Sequence, residues 1–209
     1  MEGTEQEALL AEAAALEASV GQAPADAADW PGLGAWTLRR LVGHAMGAVT
    51  GQGLAPARAD GPLERAEIDR VGFYRRRLAL LAQGEDDEPA DPDPGPASDW
   101  AGALAAARAE AERALAAADP DALVATRHGA MAQREQVAVR VLEVTIHHLD
   151  VRAALALGPE ATPSAGRLAQ DLLERLLEGP RPRNLGRTRF LRAATGRVGF
   201  RDPRFPVLT

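Results

Sequence analysis

Arg140-Val141-Leu142-Glu143-Val144-Thr145-Ile146-His147-His148-Leu149-Asp150-Val151 sits inside Met131 to Leu157, the longest apolar periodic segment of the chain. Val137, Val141, Leu142, Val144, Ile146, Leu149 and Val151 recur at helical spacing, and Gly158-Pro159 ends the run. The spacing predicts a long, largely buried helix. On such a helix Glu143 and His147 are i and i+4, so both side chains leave one face a turn apart. A carboxylate oxygen and an imidazole nitrogen placed so can reach one ion, at roughly 2.0–2.2 Å each for zinc. Asp150 lies three residues further on, near the same face, where it can orient an imidazole as acceptor. His148 is turned about 100° away from His147, which places it in the outer layer of such a site or in solvent. A polar pair on a partly exposed face would show the same spacing. The apolar neighbours Leu142, Ile146 and Leu149 argue instead for a buried Glu that needs a partner, and a metal is one such partner.

Outward from this segment the helical pattern continues. Ala and Leu dominate the 46% of hydrophobic residues and aromatics supply only 4%, which favours helices over strands. Thr4-Glu5-Gln6-Glu7 reads as a capping box before Leu9, Leu10, Ala13, Leu16 and Val20. Gly21 to Ala35 is a loop carrying Trp30, and Thr37 caps a second helix whose apolar stripe is Leu38, Leu41, Val42 and Ala45. His44 lies beside that stripe, as a core histidine or as a ligand. A third helix is expected from about Pro62 to Gln83. The acidic, proline-rich stretch Glu85 to Ala97 is expected to be an exposed, mobile loop. Ser98 is the expected cap of an Ala-rich helix to about Ala118, and His128 falls in a polar loop. Thr162-Pro163-Ser164 opens a further helix to about Glu178. Phe190 to Thr195 forms a last short one, stopped by Gly196, before an extended strap at Asp202 to Pro206.

The chain has 209 residues and a formal charge of −6, and every basic residue is Arg. An acidic balance argues against a nucleic-acid partner, because phosphate binding needs a basic face. There is no Cys, which excludes disulfides, a Cys-ligated zinc and a protein thiol nucleophile. No apolar run approaches a membrane span and the first residues are acidic, unlike a signal peptide, so no membrane partner is expected and the cytoplasm is the expected location.

Two stretches carry a family resemblance. Trp36-Thr37-Leu38-Arg39-Arg40-Leu41-Val42-Gly43-His44 resembles the Trp-Thr-x-x-(Asp/Arg)-Leu-x-x-His segment of the mycothiol-dependent maleylpyruvate isomerase family, within the DinB-like superfamily. Arg140 to Ala154 resembles that family's Arg-x-x-Glu-x-x-x-His-x-x-Asp-x-x-x-Ala segment. The resemblance implies an all-α fold: a DinB-like four-helix bundle over residues 1–157, with a short C-terminal helical extension, 158–209, packed on it. It also implies that His44, Glu143 and His147 bind one divalent metal, with Asp150 and His148 around them. Zinc or nickel suits such N/O donors.

Three protein ligands leave an open position, the mark of a catalytic site. The implied activity is that of a metal-dependent, mycothiol-using transferase or isomerase. Its nucleophile would be a metal-bound thiolate and its substrate a small electrophile. Mycothiol would be the thiol cosubstrate, which fits a chain without Cys. The expected partners are that thiol and the electrophile, with a homodimer possible. A non-catalytic DinB-like metal-binding or stress-associated protein and a metal-dependent hydrolase are the alternatives. The maleylpyruvate isomerase itself has a second domain that contributes an essential Arg. Only about fifty residues follow the bundle here, so the metal site transfers more safely than the isomerase reaction.

Overall fold

Local signals in the sequence set most helix starts. The computed structural model describes residues 4–50, 63–84 and 91–208. Helix α1 (Glu5–Val20) opens on the reciprocal capping box, with Thr4 Oγ1 accepting from the Glu7 N–H and Glu7 Oε2 from the Thr4 N–H. Thr37 caps α2 (Leu38–Val49) by accepting from the Arg40 N–H. Helix α3 (Arg70–Gln83) begins later than the third helix expected from Pro62, which itself lies outside the described residues. Asp69 sets the start by accepting from the Gly72 N–H at 2.8 Å, and Gly84, with φ 73°, ends the helix in the left-handed conformation.

Ser98 does not cap the next helix. It stands in a 3-10 turn (Ala97–Asp99) that leads into α4 (Trp100–Ala117). The segment then departs from a purely helical fold. Strands β1 (Leu123–Thr126) and β2 (Gly129–Ala132) form an antiparallel hairpin, and Met131 belongs to β2, not to the helix that follows. The Glu67 and Ile68 N–H groups both donate to the Ala130 carbonyl, which explains why residues before Asp69 run along the hairpin instead of coiling. His128 lies in the hairpin turn, in keeping with its polar neighbours, but is buried there with its ring edge-on to Phe73.

Helix α5 (Gln133–Ala154) is the axis of the fold, and α6 (Pro163–Leu176) and α7 (Arg187–Ala194) follow it. One core lies between α1, α2, α4 and one side of α5. It is rich in Ala and centred on Leu9, Leu41, Trp100 and Val144. Small side chains let these four helices approach closely. The other side of α5 gives Leu142, Ile146 and Leu149 to a second core with Tyr74, Leu173 and Phe190. This is a DinB-like helical bundle with extra helices. The tail is docked: the Val207 and Leu208 N–H groups donate to the Ala194 carbonyl, and Phe205 packs near Phe190. No helix among the described residues is long and apolar enough to cross a membrane.

Candidate metal centre

The site forms where α2 and α3 come up against α5. His44 projects from the middle of α2, between Trp36 and α5, with its ring edge-on to His147 at 4.5 Å between centroids. Its Nδ1 lies 2.7 Å from Asp91 Oδ1. A proton donated there leaves the lone pair on Nε2. Glu143 and His147 leave α5 on one face, with Glu143 Oε2 3.6 Å from His147 Nε2. Donor atoms of His44, Glu143 and His147 all lie within 4.8 Å of one another, so this His/Glu/His cluster could hold a divalent metal. An ion with donors at roughly 2.0–2.2 Å needs those donors about 3–4 Å apart, a spacing the Glu143–His147 pair already has.

Every member has a neighbour that holds it. The Tyr74 hydroxyl donates to Glu143 Oε1 at 2.6 Å, and Arg77 approaches the same oxygen at 3.4 Å, so Oε2 is the one turned to the histidines. His147 Nδ1 is 3.3 Å from Asp150 Oδ2, close but off the axis of a hydrogen bond. Arg197, from the segment after α7, clasps Asp150 through two guanidinium nitrogens and donates to the Thr195 carbonyl.

Burial opposes ionisation of Glu143. The neighbouring His147 imidazole, the Arg77 charge and the Tyr74 hydroxyl outweigh it and hold the carboxyl well below the usual range. Burial likewise opposes a charge on His147, but Asp150 and Glu143 on either side push the imidazole pKa up. For Asp150 burial is outweighed by His147 and Arg197, which lower its pKa. Burial first, and Glu143 second, push Tyr74 well above its ordinary value, so it stays a hydrogen-bond donor. Arg77 and Arg197 balance the carboxylates of Glu143 and Asp150, and the donor set of two imidazoles and one carboxylate suits a divalent ion. Above it lies a cavity of about 330 Å³, walled by Leu33, Trp36, Leu78, Ile146 and Leu208 and flanked by Arg77 and Arg197.

The structure therefore brings together His44, Glu143, His147 and Asp150. It places His148 elsewhere, fully buried and turned to α1, where Glu12 and Ser19 take its two nitrogens. Sequence reasoning passed over Tyr74, Arg77, Asp91 and Arg197. Tyr74 is the chain's single Tyr, and its place among apolar positions of α3 was the one available signal.

A sequence profile for the mycothiol maleylpyruvate isomerase N-terminal domain matches residues 7–152. The chain belongs to that family. Family membership places it in the DinB-like superfamily, in keeping with the helical bundle. The match spans α1 to α5 and takes in all three clustered donors and Asp150, while Arg197 and Leu208 lie beyond it. No curated protein and no solved structure matches the chain.

Proposed function

We propose that the protein is a metal-dependent, mycothiol-using transferase or isomerase acting on a small electrophile, with His44, Glu143 and His147 as the metal ligands. The observation that carries this reading is the convergence of these three side chains, from α2 and α5, at the base of a cavity. A zinc or nickel ion held by two imidazoles and one carboxylate would keep net positive charge and lower the pKa of a bound thiol below its free value of about 8.5.

The residues around the site support the remaining requirements. Tyr74 and Arg77 hold Glu143 in one orientation, so its second oxygen stays turned to the histidines. Apolar side chains wall much of a space of small-molecule size. Arg77 and Arg197 set positive charge at its rim, where charge developing on an electrophile's oxygen would be stabilised. Residues 158–209 are read as an extension of the bundle, which contributes Arg197 and Leu208 to the cavity. A cytoplasmic location fits a protein that draws on a soluble thiol.

Isothermal titration of mycothiol into zinc-loaded protein tests the reading. Saturable binding that disappears in the metal-free protein is expected. Failure of the zinc-loaded protein to bind mycothiol overturns the thiol chemistry and leaves a metal-dependent hydrolase or a non-catalytic metal protein in its place.

A further inference from the structure

We propose that Asp91 is a positioning residue for His44, and that it is delivered to the site by the docking of residues 91–97 on a glycine-lined face of α2. The inference rests on the metal-ligand reading of His44. A histidine ligand offers one nitrogen, and the hydrogen bond made by the other decides which one and fixes the ring plane. Asp91 Oδ1 sits 2.7 Å from His44 Nδ1, and both side chains are largely buried, at 22% and 18% exposure. A carboxylate at that nitrogen holds the proton on Nδ1, turns Nε2 to Glu143 and His147, and makes Nε2 a better donor.

Asp91 belongs to a segment whose composition suggests a solvated loop, yet its backbone lies directly on α2. A Cβ on Gly43 would run into the Pro92 carbonyl oxygen, and one on Gly47 would sit 3.2 Å from Pro92 Cδ. These helical glycines have ordinary dihedrals, so closeness, not conformation, is what they supply. Pro94 is buried, and the indole N–H of the buried Trp100 donates to the Gly95 carbonyl at 3.0 Å, which ties the far end of the strap to the start of α4. The strap is thus held at both ends of the contact, and His44 acquires a holder comparable to Tyr74 for Glu143.

The test is zinc affinity, measured by competition with a chromophoric chelator, together with the His44 tautomer read by nitrogen-15 NMR of the imidazoles. Asp91→Ala should weaken zinc binding about 10–100-fold, the usual effect of removing a carboxylate behind a histidine ligand, and should shift the His44 tautomer. Asp91→Asn keeps an acceptor oxygen and should recover most of the affinity. Asp93→Asn, at an exposed strap residue that faces Arg39, keeps an acceptor for the Gly95 N–H and should match wild type. Gly43→Ala adds only a methyl and raises helix propensity, yet that methyl meets the Pro92 carbonyl oxygen and must lift the strap, and so should weaken zinc about tenfold or more. Wild-type affinity in Asp91→Ala, an unchanged His44 tautomer, or wild-type affinity in Gly43→Ala overturns the proposal. A wild type that takes up no zinc overturns the metal reading itself.

Discussion

His147 and His148 are adjacent on α5, equally polar and both buried, yet they serve opposite faces of the helix. His147 looks into the cavity, where its Nε2 converges with Glu143 Oε2 and the His44 ring. His148 faces α1 in a closed network. Its Nε2 meets Ser19 Oγ at 2.8 Å and its Nδ1 meets Glu12 Oε1 at 2.7 Å. Glu12 Oε2 accepts from both the N–H and the hydroxyl of Thr162, at the mouth of α6. A serine, a histidine and a carboxylate in that order have the connectivity of a nucleophilic triad. Ser19, His148 and Glu12 are each 1% exposed or less, so no space remains for a reacting atom. The difference teaches that residue type and burial do not mark a reactive site. Donors must converge on accessible space; on the α1 face they converge on one another and fasten α1, α5 and α6 together.

The largest effects should separate the two faces cleanly. His44→Gln is expected to lower zinc affinity by about a thousandfold or more, equivalent to roughly 4 kcal/mol. The metal-free protein should melt as the metal-free wild type does, because the stabilisation lost is that of ligand binding to the folded state. His147→Ala should likewise leave no stoichiometric zinc in elemental analysis. His148→Gln should retain zinc and lose melting temperature. If His148→Gln strips the ion while His147→Ala keeps it, the two faces have been assigned the wrong way round.

Next in size is Glu12→Ala, which leaves His148 and both Thr162 donors without their acceptor in a site closed to water. Unfolding by urea should show a loss of about 3 kcal/mol with zinc affinity little changed. A loss below about 1 kcal/mol would show that water enters the α1 face and that it is not closed.

The smallest effect concerns a half-buried counterpart at the rim of the same two helices. Arg70 bridges Glu5 on α1 and Glu135 on α5, and bonds Glu135 through both its backbone N–H and its guanidinium. The hydrogen bond from Arg70, opposed by burial, lowers the Glu135 pKa. A depressed carboxyl contributes stability above its ordinary titration range, and that contribution is lost as pH falls through the folded-state value. Arg70→Ala should therefore be less stable by about 1 kcal/mol at pH 7, with the gap to wild type closing as the pH drops below the ordinary carboxyl range. Parallel pH curves for the two proteins would show that Glu135 owes nothing to Arg70.

Much of this architecture was legible from local signals. The Thr4 and Thr37 caps, the α5 helix, the Thr162 start of α6 and the stop at Gly196 all depend on residues within a few positions of one another. The Glu143/His147 spacing was legible for the same reason. What sequence could not show were features decided by distant partners. The β1–β2 hairpin carries three Ala among its eight strand residues and only Val124 and Thr126 as β-branched strand formers, so it reads as loop and helix. Its pairing is fixed by the hairpin turn and by residues 67–68 bonding to Ala130. The delayed start of α3 follows from that same contact. The 91–97 strap looks solvated because prolines and acids dominate it. Only the absence of side chains at Gly43 and Gly47, some fifty residues away, gives it a bed. Arg77 and Arg197 carry no signature of their own, and Tyr74 only its place among apolar positions, since what they do depends on where α3 and the tail cross α5.

Helix α5 has no solvent face to spare: Val137, Val141 and Val144 belong to one core and Leu142, Ile146 and Leu149 to the other. Its amides are consequently shielded by two hydrophobic layers at once, and they can exchange with solvent only when both come apart. Cutting the chain at Gly158 would strip α6, α7 and the tail from one side and leave a strip of Leu and Ile open to water. A chain cut there is therefore expected to melt well below the full-length protein. The two cores are expected to melt as a single cooperative block with α5 as its last protected element.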